Sequence, residues 1–168
     1  MTQDETIELA QELGERLADK GWMFACAESC TGGLLAAAMT ETPGSSQWFD
    51  RGIIAYSNEA KIALLNVSGE TLERFGAVSE ETAMEMAAGV LEMAPQSDFA
   101  VSITGVAGPG GGTAGKPVGM VCFGFGTRTA QGVVTRAETK VFSGDRQAVR
   151  SAAVQFALKT GLEFNPLT

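Results

Sequence analysis

Ser29 lies in the run Ala27-Glu28-Ser29-Cys30-Thr31-Gly32-Gly33, after the apolar stretch Trp22-Met23-Phe24-Ala25-Cys26 and before Leu34-Leu35-Ala36-Ala37-Ala38-Met39. This order reads as strand, tight turn and helix. A hydroxyl on such a turn sits beside the unpaired backbone N–H groups of the new helix, which carry partial positive charge and can hold a developing oxyanion. Ser29 is therefore a candidate nucleophile. Ser29 or Thr31 can equally serve as a helix cap, and taken alone the turn is better explained that way.

Histidine decides which catalysis is open to such a serine, because the chain has none. Ser-His-Asp and Cys-His arrangements are excluded, so any serine nucleophile depends on Lys, Tyr or a carboxylate for activation. Cys26-x-x-x-Cys30 has no second thiol pair to complete a metal site, which makes chemistry without a metal or cofactor the expectation. One lysine stands out by position. Ser57-Asn58 offers an N-cap for Glu59-Ala60-Lys61-Ile62-Ala63-Leu64-Leu65, so Lys61 falls in the first turn of a short helix. The dipole there disfavours an ammonium, and burial would add to the effect, so both push its pKa down. A lysine poised to be neutral can act as a base. Without that burial it is an ordinary surface lysine.

Two further features suggest an anion. Arg146 follows Ser143-Gly144-Asp145 at the start of the last helix, where a cation adds to the positive end of the dipole and suits a phosphate. Pairing with Asp145 or a distant carboxylate is the competing explanation. The stretch from Thr104 to Pro117 is rich in glycine, which permits close backbone approach to a ligand or simply a flexible crossover. Gly110-x-Gly112-x-x-Gly115 fits the dinucleotide pattern, but a strand rather than a helix follows it. Gly110-x-x-x-x-Gly115-Lys116 stops short of a P-loop because Pro117 stands where Ser or Thr binds magnesium.

The elements that position these residues follow from periodicity and breakers. An amphipathic helix over 4–20 ends at Gly21; strand 22–27, helix 31–41 and a strand ending at Tyr56 come next. Short helices begin at Ser57 and at Ser68, and Ser79 caps a longer helix whose Ala83, Met86, Ala87, Val90 and Leu91 form one apolar face. Strand 98–103 reads as buried on both faces. Strands near 118–127 and 132–142 form a hairpin, which places an antiparallel strand in an otherwise parallel sheet.

With 168 residues, 45% of them hydrophobic, a single domain spanning 1–168 is expected. No apolar run approaches a membrane span and the N-terminus is acidic and polar, which points to a cytoplasmic protein and no membrane partner. A net charge of −8 argues against nucleic acid as a partner while leaving room for a local site for a small anion. Cys26, Cys30 and Cys122 are expected to be reduced. A homo-oligomeric state is left open.

Taken together, Ala27–Gly33, Gly44-Ser45-Ser46, Tyr56–Lys61, Gly76–Ser79, Ser102–Pro109 and Lys116–Gly119 resemble the CinA C-terminal domain family of nicotinamide-nucleotide amidohydrolases, across nearly the whole chain. The resemblance implies a three-layer α/β/α sandwich with a mixed, mostly parallel sheet. It also implies hydrolysis of the carboxamide of nicotinamide mononucleotide to nicotinate mononucleotide and ammonia, within pyridine nucleotide salvage. By position, Ser29 would be the nucleophile, Lys61 its base and Tyr56 a hydroxyl assisting proton transfer. Thr104 with the glycine loop, including Gly105, Gly108 and Gly110, and Arg146 would hold the nucleotide. N–H groups near Thr31, Gly32 and Gly33 would hold the oxyanion. Two-domain family members carry an additional N-terminal domain, and this chain looks like the stand-alone form. The Ser-x-x-Lys spacing of penicillin-binding-type hydrolases is missed, since Ser57 and Lys61 are one residue too far apart. The rival from another class is a non-catalytic nucleotide-binding module of the same fold.

Overall fold

The computed structural model describes residues 2–164; Met1 and residues 165–168, the ends of the expected domain span, lie outside the described residues. The strands are β1 Phe24–Glu28, β2 Phe49–Ile54, β3 Phe99–Gly105, β4 Met120–Thr129 and β5 Gly132–Val141. The helices are α1 Gln3–Asp19, α2 Leu34–Met39, α3 Asn58–Leu65, α4 Gly69–Phe75, α5 Glu80–Met93 and α6 Arg146–Glu163. The sheet order is β2-β1-β3-β4-β5, with β1 parallel to both β2 and β3 and with β4 antiparallel to β3 and β5. Antiparallel pairing thus begins one strand earlier than the β4–β5 hairpin alone implies. The glycine-rich segment is the long excursion of a β3–β4 hairpin, closed by Val106 N–H to Met120 O at 2.8 Å and Gly119 N–H to Val106 O at 2.7 Å.

Side-chain alternation along the central strands divides the core into two layers. Phe24 and Cys26 of β1, with Phe99, Val101 and Ile103 of β3, pack under α1, α2 and α6. Ala25, Ala27 and Ala100 face the other way, beneath Leu65 of α3, Leu72 of α4 and Met86 and Val90 of α5. Each fully buried Phe of the first layer contributes about 1.5–3 kcal/mol. The alanines of the second layer leave space for α5 to come close. At Gly124 of β4, an added Cβ would collide with the Ala83 carbonyl of α5, so that contact requires glycine.

The helix starts expected at Ser57, Ser79 and Asp145 are present, each side chain accepting from the backbone N–H three residues on. The largest departure is α2. A helix over 31–41 is expected, but regular turns begin only at Leu34, because Gly32 and Gly33 hold left-handed φ values of 57° and 109°. Only glycine adopts these without strain. The segment after Ser29 is therefore a shaped turn rather than the start of a helix.

Candidate active site

β1 and β3 are neighbours, yet the chain leaves β1 toward β2 on one side and returns to β3 on the other, so their C-terminal ends flank the point where strand order reverses. Open α/β sheets form their crevices at such points. Ser29 is the first residue past β1, and its N–H donates to Ile103 O of β3 at 2.9 Å.

Glu28 defines the turn from below. Its alternation places it on the α2 side, where it is 1% exposed. Its carboxylate accepts from Thr31 Oγ1 at 2.6 Å, Leu35 N–H at 2.9 Å and Ala36 N–H at 3.0 Å. A carboxylate at a helix N-terminus satisfies orphan donors and complements the dipole. Glu28, not Ser29 or Thr31, is thus the cap of α2. Relieved of capping, the Ser29 hydroxyl points elsewhere.

It points to Lys61. Lys61 Nζ lies 2.9 Å from Ser29 Oγ, 3.1 Å from Ala55 O and 2.9 Å from Tyr56 O. Lys61 is 1% exposed, and no carboxylate lies within ion-pair distance of it among the described residues. Burial accordingly lowers its pKa below the ordinary 10.5. As placed, Nζ donates to all three oxygens while the Ser29 hydroxyl donates to Tyr56 O. In the neutral amine the two carbonyls, which can only accept, take its two hydrogens, and its lone pair is left for the Ser29 hydroxyl, the one partner able to turn and donate. Cys30, next to Ser29, is no rival nucleophile: burial raises its thiol to about 11, far from the reactive thiolate. Cys26 and Cys122 are likewise buried free thiols whose pKa burial raises.

A cleft of about 720 Å³ opens between the glycine-rich hairpin loop and the start of α6, lined by Ala107, Pro109, Val118, Gly144, Arg146 and Arg150 among others. Ser29 and Lys61 do not line it, and it connects to them through Arg146, which reaches Tyr56, and Arg150, which reaches the turn after Ser29. Arg146 donates to Gly108 O at 2.7 Å and to the Tyr56 hydroxyl at 3.2 Å. Asp145 caps α6 through Ala148 N–H at 2.9 Å and makes no ion pair with Arg146. The cleft therefore has a guanidinium free of carboxylates among the described residues. Tyr56 joins the two halves: its carbonyl holds Lys61 and accepts from Ser29 Oγ at 3.3 Å, while its ring is 60% exposed. The phenol meets Arg146 rather than Lys61, so the expected tyrosine–lysine proton relay is not formed through the side chain in this structure.

The remaining expected residues are less uniform. Thr104 lies on the opposite sheet face from α6 and is 1% exposed, its hydroxyl donating to Ala77 O at 2.8 Å. Gly105 packs against Val121, whereas Gly110 has open space around it. Gly32 N–H is taken by the Ser29 carbonyl at 3.1 Å. The N–H groups of Cys30, Thr31 and Gly33 are the ones with no acceptor among the described residues. No cluster of three or more His, Cys, Asp or Glu side chains able to hold a metal occurs among the described residues. None of the described helices is long and apolar enough to cross a membrane.

Sequence reasoning missed two residues of this site. Glu28 was signalled by strand alternation, since it shares parity with Phe24 and Cys26. Arg150, which donates to Cys30 O and Thr31 O, lies one helical turn beyond Arg146, a spacing that puts both on one face.

The chain is similar to known proteins along nearly its whole length. The model of the CinA C-terminal domain matches residues 6–164. A nicotinamide-nucleotide amidohydrolase PncC of Enterobacter agglomerans is 52% identical over 162 residues, covering 96% of each chain. Its namesake from Escherichia coli K12 is 48% identical over 160 residues, covering 95% of this chain and 94% of that one. The crystal structure of a competence or damage-inducible protein from Enterobacter asburiae superposes with a TM-score of 0.89 at 41% identity, covering 97% and 98% of the two chains. A series of matching motifs along the whole chain and a superposition of the whole fold lead to one conclusion: this chain belongs to the CinA C-terminal domain family.

Proposed function

We propose that the protein hydrolyses the carboxamide of nicotinamide mononucleotide, giving nicotinate mononucleotide and ammonia, and so serves pyridine nucleotide salvage. The observation that carries the mechanism is the 2.9 Å approach of buried Lys61 Nζ to Ser29 Oγ. In this reading neutral Lys61 accepts the Ser29 proton as Oγ bonds to the amide carbonyl carbon. The backbone N–H groups of Cys30 and Thr31 receive the charge developing on the carbonyl oxygen. The carbon–nitrogen bond breaks, the Lys61 ammonium returns its proton, and ammonia leaves. Water then attacks the ester carbonyl carbon, giving a proton to Lys61, which passes it to Ser29 Oγ as the ester bond breaks and nicotinate mononucleotide is freed. No step draws on a metal or cofactor.

Arg146 and the open loop around Gly110 bind the phosphate, and the exposed Tyr56 ring orients Arg146 and borders the substrate. Thr104 acts behind the site, fixing the end of β3 through Ala77. The names of the two amidohydrolase relatives support the substrate. Incubating purified protein with nicotinamide mononucleotide and measuring ammonia tests the reading. Tight binding without release would instead favour the non-catalytic nucleotide module.

A further inference from the structure

We propose that Arg150 is a positioning residue that holds the Ser29 turn in the geometry needed for acyl transfer, a role that rests on the serine–lysine reading above. Arg150 is half-buried on α6 and donates from Nε to Cys30 O at 3.0 Å and from Nη2 to Thr31 O at 3.3 Å. These are the two carbonyls that directly follow the nucleophile. The contact joins segments about 120 residues apart, so local sequence does not enforce it.

A trans peptide unit is planar, and its C=O and the following N–H point in opposite directions. Drawing the Cys30 carbonyl toward α6 therefore turns the Thr31 N–H away from α6. Drawing the Thr31 carbonyl likewise turns the Gly32 N–H away, where it meets the Ser29 carbonyl at 3.1 Å. One guanidinium thus sets two successive peptide planes. Its fork suits this task, whereas an ammonium is a point charge that cannot fix both planes in the same way. The fit is close: a Cβ on Gly32 would lie 3.4 Å from Arg150 Nη2.

Of the two donors so aimed, the Thr31 N–H is left without an acceptor among the described residues, while the Gly32 N–H holds the Ser29 carbonyl and through that peptide fixes the direction of the Cys30 N–H. The N–H of the residue after a nucleophile is a common oxyanion donor, and the Cys30 and Thr31 N–H groups have no acceptor among the described residues. Arg150 makes no ion pair among those residues, so no carboxylate competes for its guanidinium. Arg146, one turn earlier, reaches Gly108 O and the Tyr56 hydroxyl instead. The two arginines divide the work: Arg146 faces the ligand, and Arg150 faces the turn that bears the nucleophile.

The test compares the purified wild-type chain with Arg150→Ala and Arg150→Lys by ammonia release from nicotinamide mononucleotide, by thermal unfolding, and by the rate at which a fluorophosphonate labels Ser29. Misplacing a nucleophile and its oxyanion donors predicts a roughly 100-fold fall in kcat for Arg150→Ala, with KM changed by less than about threefold. Labelling should slow in parallel, Arg150→Lys should fall between, and added guanidinium ion below denaturing concentration should restore part of the alanine variant's rate. A raised KM with unchanged kcat, or labelling at the wild-type rate, overturns the proposal. If the alanine variant does not fold, a folded Arg150→Lys with wild-type kcat and labelling overturns it. If neither folds, Arg150 serves stability and the proposal is wrong. Labelling does not depend on the natural substrate. A wild type that labels at Ser29 but releases no ammonia rejects the substrate assignment, while the comparison of labelling rates still decides the role of Arg150.

Discussion

The two halves of the candidate site solve opposite problems. The Ser29–Lys61 half is closed: the lysine is 1% exposed, its partners are a hydroxyl and two carbonyls, and burial lowers its pKa. The Arg146 half is open, formed by an exposed side chain on a wide cleft and a loop in which glycines leave the backbone bare. Burial suits proton transfer because it destabilises the charged amine. Openness suits recognition of an anion, because an arginine keeps its charge in any environment and needs only reach. The difference teaches that the same formal charge, a basic side chain in an early helical turn, is suited to act as a base or to receive an anion according to solvent access.

The sharpest way to break this division is to change the chemistry of the closed half. Ser29→Ala should lose turnover by roughly 10⁴- to 10⁶-fold, as expected when a nucleophile acting in concert with its base is removed. Lys61→Arg keeps the positive charge but cannot lose its proton, so it should lose about 10²- to 10⁴-fold and resemble Lys61→Met. Turnover of both variants across a pH series is the measurement. The wild-type rate should rise with pH through an apparent pKa below 10.5, and an arginine variant with substantial activity and a flat profile would overturn the base assignment.

In the open half, Arg146→Ala should weaken nicotinamide mononucleotide far more than nicotinamide riboside. The lost charge-assisted hydrogen bond is worth about 1.5–3 kcal/mol, roughly 10- to 150-fold. Competition binding with nucleotide and nucleoside reads this, and equal losses would remove Arg146 from the phosphate.

A smaller effect concerns stability. With its pKa lowered by burial, folded Lys61 holds its proton more weakly than the unfolded chain does. Between that lowered pKa and 10.5 the unfolded state binds more protons, so stability rises with pH. The contribution is fully present above 10.5 and is lost as pH falls through the folded value. Denaturant unfolding of wild type against Lys61→Met across this window should show a gap that moves in favour of the wild type as pH rises. A pH-independent gap would mean that the amine titrates alike in both states.

The smallest expected effect is none: EDTA should leave the rate unchanged, given a chain without histidine and no cluster of three metal-binding side chains among the described residues. Loss of activity that added metal restores would break the metal-free mechanism.

Much of the fold was legible because its signals are local. Ser57, Ser79 and Asp145 cap the helices that follow them, since a cap needs only a side-chain oxygen three residues from an orphan N–H. The extent of α2 was misread because the apolar run 34–39 hides the left-handed conformations at Gly32 and Gly33 just before it. The Ser29 turn itself was visible, but its cap was not: the donors Leu35 and Ala36 bond to a carboxylate seven and eight residues back, beyond any local capping pattern. Tyr56 shows the same limit, because its backbone reaches Lys61 while its phenol meets an arginine 90 residues away.

Sequence alone determined the chemistry that was possible. Without histidine, a serine has to find another base, and residue types are read directly from the chain. It also determined the order of strands and helices, through periodicities of two and 3.6 that act over a few residues. Tertiary structure decided which lysine lies beside that serine. Lys61 is buried against Ser29 because the end of β1, the chain after β2 and the start of α3 converge where the strand order reverses. It decided, too, that of the two arginines lining the cleft Arg146 reaches Gly108 and Tyr56 whereas Arg150 holds the turn after Ser29. Both outcomes depend on desolvation and on contacts between residues far apart in the chain, and neither is a property of any short stretch of sequence.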